Sequence, residues 1–554
     1  MTVPGTFVPL RHQPPLPHHS LVVSEPPGPE SLELDVVFVG GGPSGLAGAI
    51  ELARLVAEDN QRGGGLGDVG IGVLEKGERL GDHCLSGAVV NPIAFRDLFP
   101  AMTDRDFPFG QAVPREAVYL LSEGRSFRVP MPPTMRNHGF YVASLSEMAR
   151  WLGEQAETLG VNLFPGFPAA GLLVNDHRVV GVRTVPSGLD RDGKPGSGFT
   201  PPTDVTAKVT VLAEGTRGLL AQAYLEWQRI SSPNPQVFAL GVKELWKTKR
   251  PLDAVVHTMG WPLPAGVFGG SFMYPLHPNL VALGLVAALD GHDGDLDTHE
   301  LFQRMKLHPV FRQYLEGGEL LEWGAKTIPE GGYYSLPARR HGDGVVILGD
   351  AAGLVNVPAL KGVHYAMHSG MYAARAIFRA LKARDTSAAM LAEYDRLLER
   401  SYVMRDLYRT RNMRLAFRHG FLSGALGAGL ATVTRGLLPP SRIVMPADAA
   451  VPRSAPGPSR FTPDGKLTFS KVDAVFRSGN ATRDTIPTHL LTVDGVPREV
   501  GEFYARMCPA GVYEWVEGGL RINAPNCVDC KATDVLGPRW TPREGGSGPK
   551  YQRM

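Results

Sequence analysis

The stretch Asp35-Val36-Val37-Phe38-Val39-Gly40-Gly41-Gly42-Pro43-Ser44-Gly45-Leu46-Ala47 constrains the fold more than any other part of this 554-residue chain. Strand-forming apolar residues run into glycines, and an Ala/Leu-rich helical pattern follows at once. Gly40, Gly42 and Gly45 stand in the G-x-G-x-x-G spacing. In that spacing the first glycine allows a tight turn, the second lets the backbone approach a pyrophosphate, and the third lets helix pack on strand. The phosphates then sit at the positive end of the helix dipole. A second strand, Gly70-Ile71-Gly72-Val73-Leu74, ends at Glu75, where a carboxylate suits a ribose hydroxyl pair. The gap exceeds the usual spacing of about 20 residues, and the loop Arg62-Gly63-Gly64-Gly65-Leu66-Gly67 absorbs the difference. The pattern predicts a parallel α/β unit that binds a dinucleotide. A glycine-rich strand–helix turn without a ligand is the alternative.

Bulk properties narrow the class. The length suits about two to four domains, and 43% hydrophobic with 20% charged residues is ample for a large core. A net charge of +2 gives no reason to expect nucleic acid, whose binders carry a concentrated basic face. Four cysteines in so long a chain make no disulfide scaffold; they point to a reducing compartment or a cofactor. No apolar run reaches the roughly 20 residues of a membrane-spanning helix. Residues 1–30 are rich in Pro and His with one arginine, Arg11, and lack the marks of a signal or transit peptide. They read as a disordered leader, with His18 and His19 incidental rather than metal-binding.

Further marks follow in order. Gly81-Asp82-His83-Cys84-Leu85-Ser86-Gly87-Ala88 is rich in small residues and lies where backbone, at Ser86 and Gly87, could approach a flavin ring. Cys84, with no partner cysteine near it, reads as a packed thiol. Asn91-Pro92 opens a short helix, and Ser146 to Leu159 is helical. Strand signals include Val179–Arg183, with a hairpin tip at Gly188 to Gly198. The strand Val209–Ala213 ends in Glu214-Gly215, a recurrent feature of FAD-binding two-dinucleotide-type folds. Val237–Val242 and Leu280–Ala287 are further strands. Gly344-Val345-Val346-Ile347-Leu348-Gly349-Asp350 is a buried-type strand ending in Gly-Asp; Lys361-Gly362-Val363-His364 and a helical run to Leu381 come next. Flavoproteins use such an aspartate on the ribityl hydroxyls and the following helix N-terminus at the pyrimidine end. The two flavin marks lie far apart in sequence, at 40–45 and 349–363. His364 reads as a residue satisfied by local hydrogen bonds, with proton shuttling as the alternative.

In residues 420–438, Leu422, Leu426, Leu430, Val433 and Leu437 recur at helical spacing, with Arg414, Arg418, Arg435 and Arg442 around them. Such a helix suits a membrane interface, or a core packed through small residues. Residues 440–463, rich in Pro, Ser and Ala, mark a boundary. Beyond it stand Cys508-Pro509 and Cys527-Val528-Asp529-Cys530. Cys-x-x-Cys with a remote Cys-Pro is how ferredoxin-type clusters are wired. Zinc would want a fourth Cys or His, the nearest upstream being His489; a redox dithiol lacks a thioredoxin-like setting.

From about residue 31 onward the chain resembles the electron-transfer flavoprotein–ubiquinone oxidoreductase family. The resemblance rests on the G-x-G-x-x-G start, Leu85-Ser86-Gly87-Ala88, Glu244-Leu245-Trp246, Gly260-Trp261-Pro262, Gly269-Gly270-Ser271-Phe272, Asn356-Val357-Pro358, Cys508-Pro509-Ala510-Gly511-Val512-Tyr513-Glu514 and Asn523-Ala524-Pro525-Asn526-Cys527. It implies an α/β (α+β) protein. An FAD-binding two-dinucleotide domain (31–110, 190–235, 330–415) interweaves with a quinone-binding mixed α/β domain (111–189, 236–329). A membrane-surface helix and linker (416–450) and a ferredoxin-like iron–sulfur domain (451–554) complete it.

The resemblance also implies FAD at Gly40, Gly42, Gly45, Glu75, Ser86, Gly87, Gly349, Asp350, Gly362 and Val363, and a quinone head group at Gly269 and Gly270. It places membrane-inserted parts at 91–112 and 420–438 and a [4Fe-4S] cluster on Cys508, Cys527 and Cys530. The expected partners are electron-transfer flavoprotein, ubiquinone or menaquinone, and a membrane lipid surface. The expected place is the cytoplasmic face of a bacterial inner membrane, or the mitochondrial inner membrane in a eukaryote. The family's fourth cysteine position is Thr533, a poor iron ligand. The options are a [3Fe-4S] cluster, a four-iron cluster completed by water, Asp529 or Asp534, or an incomplete site. A geranylgeranyl-reductase-like enzyme and a non-catalytic electron relay are the rival functions.

Overall fold

The computed structural model describes residues 6–87, 89–459 and 461–554, without the side chains of His419 and Leu422. Ala88, Leu422 of the apolar stripe and the first five residues of the expected leader therefore lie outside the described residues.

Val36, Val37 and Phe38 are completely buried, because the strand Leu32–Val39 has structure on both faces; a continuous apolar run is what such a strand requires. It pairs in parallel with Ile71–Glu75 on one side and Asp204–Leu212 on the other. Asn162–Pro165 adds beyond Ile71–Glu75, also in parallel. The last residues of Asp204–Leu212 take Val345–Ile347 in parallel, while its first residues take Arg178–Thr184 antiparallel. One long strand thus joins the Rossmann-like sheet to a small antiparallel extension that continues through Ala169–Asn175 and Val22–Val23.

Helices Pro43–Gln61 and Val363–Ala383 cover one another at near-backbone distance. A Cβ on Gly370 would lie 2.2 Å from the Ser44 carbonyl oxygen, and one on Gly48 would lie 3.1 Å from that of Gly370. This contact brings the N-termini of two helices, distant in sequence, to one end of the sheet.

The second sheet has seven strands, in the order Glu319–Pro329, Phe238–Lys247, Leu280–Ala288, Gly269–His277, Val255–Gly260, Glu116–Leu121 and Ser126–Val129. All neighbours are antiparallel except Val255–Gly260 on Glu116–Leu121. Glu244, on its most buried strand, is satisfied by Lys306, Gln303 and the Trp246 indole N–H, so this charge sits in the core without an orphan. The C-terminal unit is built from Lys471–Phe476, Arg498–Met507, the hairpin Tyr513–Val516/Gly519–Ile522 and the short helix Ala532–Leu536.

Three expectations are corrected. Residues 6–30 are no disordered leader. Thr6–Phe7 pairs with Arg453–Ser454, the Phe7 ring meets Phe503 at 5.2 Å, and Arg539 donates to the Pro14 carbonyl. A proline-rich segment has no periodicity, yet Phe7, Leu16 and Leu21 find buried sites on surfaces that only the folded chain provides.

Residues 145–184 belong to the first sheet and its helices, not to the quinone-side domain given as 111–189; the parallel pairing of Asn162–Pro165 with Ile71–Glu75 decides it. Finally, the 91–112 stretch is no exposed apolar surface. Phe95, Leu98, Phe99 and Phe107 are buried, and the rings pack with Phe109 and Trp151 at 5.0–6.2 Å.

Candidate functional site

The three glycines of the first turn do three different things. Gly40 has φ +119°, and a Cβ there would meet the Ala213 carbonyl at 2.4 Å. A Cβ on Gly45 would meet the Gly40 carbonyl at 2.1 Å, so helix and turn require glycine. Around Gly42 nothing lies within 4 Å on the side where a Cβ would project. That side opens into a cavity of about 920 Å³.

Gly40, Gly42, Glu75, Ser86, Gly87, Asp350, Gly362 and Val363 all line this cavity. Gly45 and Gly349 stand behind its wall and shape the turns; Gly349 has φ +54° and donates to Ser369 Oγ. The Glu75 carboxylate accepts from Gly41 N–H (3.0 Å) and Gly77 N–H (2.7 Å), which fixes it at the strand end. Asp350 is raised to about 6 by burial, which outweighs the opposing charge of Lys326. Gly362 begins helix Val363–Ala383, whose free N–H groups face the same space. Buried, partner-poor polar groups, an open glycine and a helix N-terminus fit an adenine dinucleotide of flavin type.

The cavity continues. Gly269 and Gly270 lie on its wall, pressed so close to the Val286 and Thr258 carbonyls that a Cβ would stand 2.1 and 2.6 Å from them. Further on, the wall is made by Phe421, Ala425, Ala428, Gly429 and Thr432 of helix Phe421–Val433. The same helix and its continuation expose Leu426 (78%), Val433 (83%) and Leu437 (74%) outward. Arg414, read as a flanking arginine, is instead buried in an ion pair with Glu330 (2.7 Å) and Asp290 (2.9 Å).

Several wall residues escaped sequence reading. Lys243, His257 and His364 line the cavity, and their buried Nζ, Nε2 and Nδ1 atoms have no hydrogen-bond partner among the described residues. His364 is therefore not the locally satisfied histidine expected. Burial lowers His257 and His364 to about 3 and Lys243 to about 8. A lysine inside the apolar strand Phe238–Lys247 was the available signal for Lys243. Cys84 also lines the cavity, its thiol pushed up to about 12 by burial, consistent with an unreactive thiol.

Cys508, Cys527 and Cys530 are buried around a second, small cavity that Thr533 and Tyr513 also line. Cys508 follows helix Arg498–Met507, and the Cys527–Cys530 loop winds through left-handed Asp529 and Lys531 (φ +54° and +63°). Burial raises all three thiols; a bound iron would deprotonate them outright. Thr533 Oγ1 accepts from the Tyr513 hydroxyl at 3.3 Å.

Neither carboxylate offered as a substitute ligand is on this cavity's wall. Asp534 is held by Arg217 (2.5 Å); Asp529 is held by Lys76 (2.5 Å), Arg543 (3.0 Å) and the Trp540 indole, and accepts from the Cys527 thiol at 3.7 Å. His489 has both ring nitrogens unpartnered, and one of them, Cys527 Sγ and an Asp529 oxygen lie within 4.8 Å of one another. It is not on the wall shared by the three cysteines and groups instead with Cys527 and Asp529. The donor set fits a cluster held by three thiolates.

Two family models match, one described as ETF-QO, ubiquinone-binding, over residues 238–328, and one as electron transfer flavoprotein-ubiquinone oxidoreductase, 4Fe-4S, over 465–552. The mitochondrial electron transfer flavoprotein-ubiquinone oxidoreductase of Arabidopsis thaliana is 38% identical, over 95% of this chain and 85% of that protein. The enzyme of the same name from Homo sapiens is 38% identical, over 94% and 89%. This chain belongs to the electron-transfer flavoprotein–ubiquinone oxidoreductase family.

Among solved structures, a geranylgeranyl bacteriochlorophyll reductase-like protein of Thermoplasma acidophilum shares the fold. Its TM-score is 0.56 at 18% identity, over 76% of this chain and 95% of that one. A myxobacterial chondrochloren halogenase, an FAD-dependent enzyme, gives 0.52 at 17%, over the same shares. An oxidoreductase of this family with an FAD-type fold and a C-terminal iron–sulfur domain thus accounts for both cavities. Among the described residues no helix is long and apolar enough to cross a membrane.

Proposed function

We propose that the chain accepts electrons from reduced electron-transfer flavoprotein and reduces ubiquinone or menaquinone to quinol, as an electron-transferring-flavoprotein dehydrogenase. The observation that carries the reading is the continuity of one cavity. It runs from the Gly40–Gly45 turn, past Gly269 and Gly270, to the inner face of a helix whose outer face is bare leucine and valine. A lipid-soluble substrate entering beneath that helix passes from apolar surroundings to the flavin end without crossing water.

FAD supplies the conversion between one- and two-electron chemistry, and the iron–sulfur cluster supplies one-electron exchange. This chain's residues do the rest. Gly42 would leave room for the pyrophosphate, Asp350 would offer its carboxylate to the ribityl hydroxyls, and the Gly362–Val363 N–H groups would meet the pyrimidine end. The Gly269–Gly270 backbone receives the quinone head group, since no side chain stands between it and the cavity. Lys243 Nζ, protonated at neutral pH, and the neutral imidazoles of His257 and His364 can hold or pass the two protons that quinol formation takes up.

The exposed leucine face of Phe421–Val433 would rest in a membrane interface, making the protein monotopic, on the cytoplasmic face of an inner membrane in a bacterium. Three thiolates and Thr533 favour a [3Fe-4S] centre over the family's [4Fe-4S].

Anaerobic protein, assayed with reduced electron-transfer flavoprotein and a short-chain quinone, is expected to form quinol. Normal flavin content with no quinone reduction overturns the reading. NADPH oxidation without a protein donor would speak for a reductase of the geranylgeranyl type. Flotation with liposomes, lost on Leu426→Glu together with Val433→Glu, tests the membrane face.

A further inference from the structure

Among the described residues, two line both cavities: Lys531 and Trp540. Lys531 follows Cys530 directly, and its left-handed backbone turns the side chain toward the flavin side. There Nζ donates to the Thr216 (3.1 Å) and Arg217 (2.8 Å) carbonyls, just after the Glu214-Gly215 strand end. The ammonium also stands 4.5 Å from the centroid of the Trp540 ring. Lys76, the residue after Glu75, lies 5.0 Å from the same ring. The Trp540 indole N–H donates to Asp529 in the cysteine loop at 3.0 Å. The ring is therefore packed between lysines contributed by the two sites, and its own hydrogen bond is made to the loop that carries two of the three cysteines.

Electrons pass between redox centres far more readily through packed atoms than through gaps, and the Trp540 ring is packed between the two cavities. We propose that Trp540 is a positioning residue of the electron path: it is the wall through which cluster and flavin exchange electrons.

This rests on the reading that the two cavities hold FAD and an iron–sulfur cluster. In each exchange one electron leaves one centre and enters the other, with no bond made or broken. Reduced electron-transfer flavoprotein supplies the electron and the quinone removes it. A purely structural Trp540, holding the cysteine loop through Asp529, would leave the exchange rate of iron- and flavin-loaded variants unchanged.

The test is electron exchange in full-length protein, followed by flavin absorbance and cluster EPR, with iron and flavin content measured beside it. Trp540→Leu is expected to slow flavin–cluster electron exchange in stopped flow about tenfold, with Trp540→Phe between it and the parent.

A parental exchange rate in Trp540→Leu overturns the wall. If Trp540→Leu takes up no iron, Trp540→Phe carries the test, and a parental exchange rate there overturns the wall. Failure of the underlying cofactor reading looks different: the unsubstituted protein itself would lack iron or flavin.

Discussion

The flavin cavity and the cysteine cavity are assembled on opposite principles. The first is made mostly of backbone. Gly42, Gly87, Gly269, Gly270 and Gly362 reach it from four separate stretches, and what each contributes is closeness rather than a functional group. The second is made of side-chain donors, three sulfurs and two hydroxyls, on one short stretch of chain. A site built from backbone distributes its recognition over many residues. A site built from ligands changes its chemistry with one residue, and Thr533 is such a change.

The largest effect that would sharpen this contrast is Cys527→Ser. Iron is expected to disappear entirely while flavin content stays at the parent level, measured by iron analysis and absorbance; joint loss would show that the two sites do not form independently. Next is Gly45→Val. With a Cβ only 2.1 Å from the Gly40 carbonyl, the helix and turn must part, and flavin binding is expected to be abolished or the protein to fail to fold. Gly42→Ala separates packing from binding. Nothing in the protein obstructs that Cβ, so thermal stability without flavin should match the parent while flavin affinity falls at least ~10-fold, since the methyl enters the space given to pyrophosphate. Equal flavin affinity would place the dinucleotide elsewhere. Thr533→Cys should raise iron by about one atom per chain and move the EPR signal from the oxidised to the reduced protein; an unchanged iron count would show that the fourth corner is already filled.

The smallest effect concerns pH. His257 and His364 titrate near 6.5 when unfolded and near 3 in the fold. Between those values the unfolded chain binds more protons, so stability is full above about pH 6.5 and is lost as pH falls toward 3, by up to ~1.4 kcal/mol per pH unit for each group. His257→Gln should flatten that slope in flavin-free protein. No difference from the parent between pH 6.5 and 4 would show that water reaches the ring.

What could be read from the residues alone was whatever local geometry or element chemistry demands. A G-x-G-x-x-G between strand and helix, a Gly-Asp strand end before a helix, and Cys-x-x-Cys after Cys-Pro each carry their reason within a few residues, and all of them line or shape the two cavities. So does the apolar helix at 421–433. Tertiary structure decided what depends on partners far along the chain.

Phe7 and Leu16 look like parts of an unstructured tail until the sheet and the C-terminal unit give them somewhere to bury. The phenylalanines of 91–112 look like a membrane face until Trp151 closes over them. Arg414 looks interfacial until Glu330 and Asp290 meet it. Asp529 and Asp534 look like spare ligands until arginines and a lysine claim them. Lys243, His257, Lys531 and Trp540 gain meaning only as walls. Periodicity reports which residues want burial or approach, but the identity of the neighbour is set by strand pairing and packing across hundreds of residues, which no local pattern encodes.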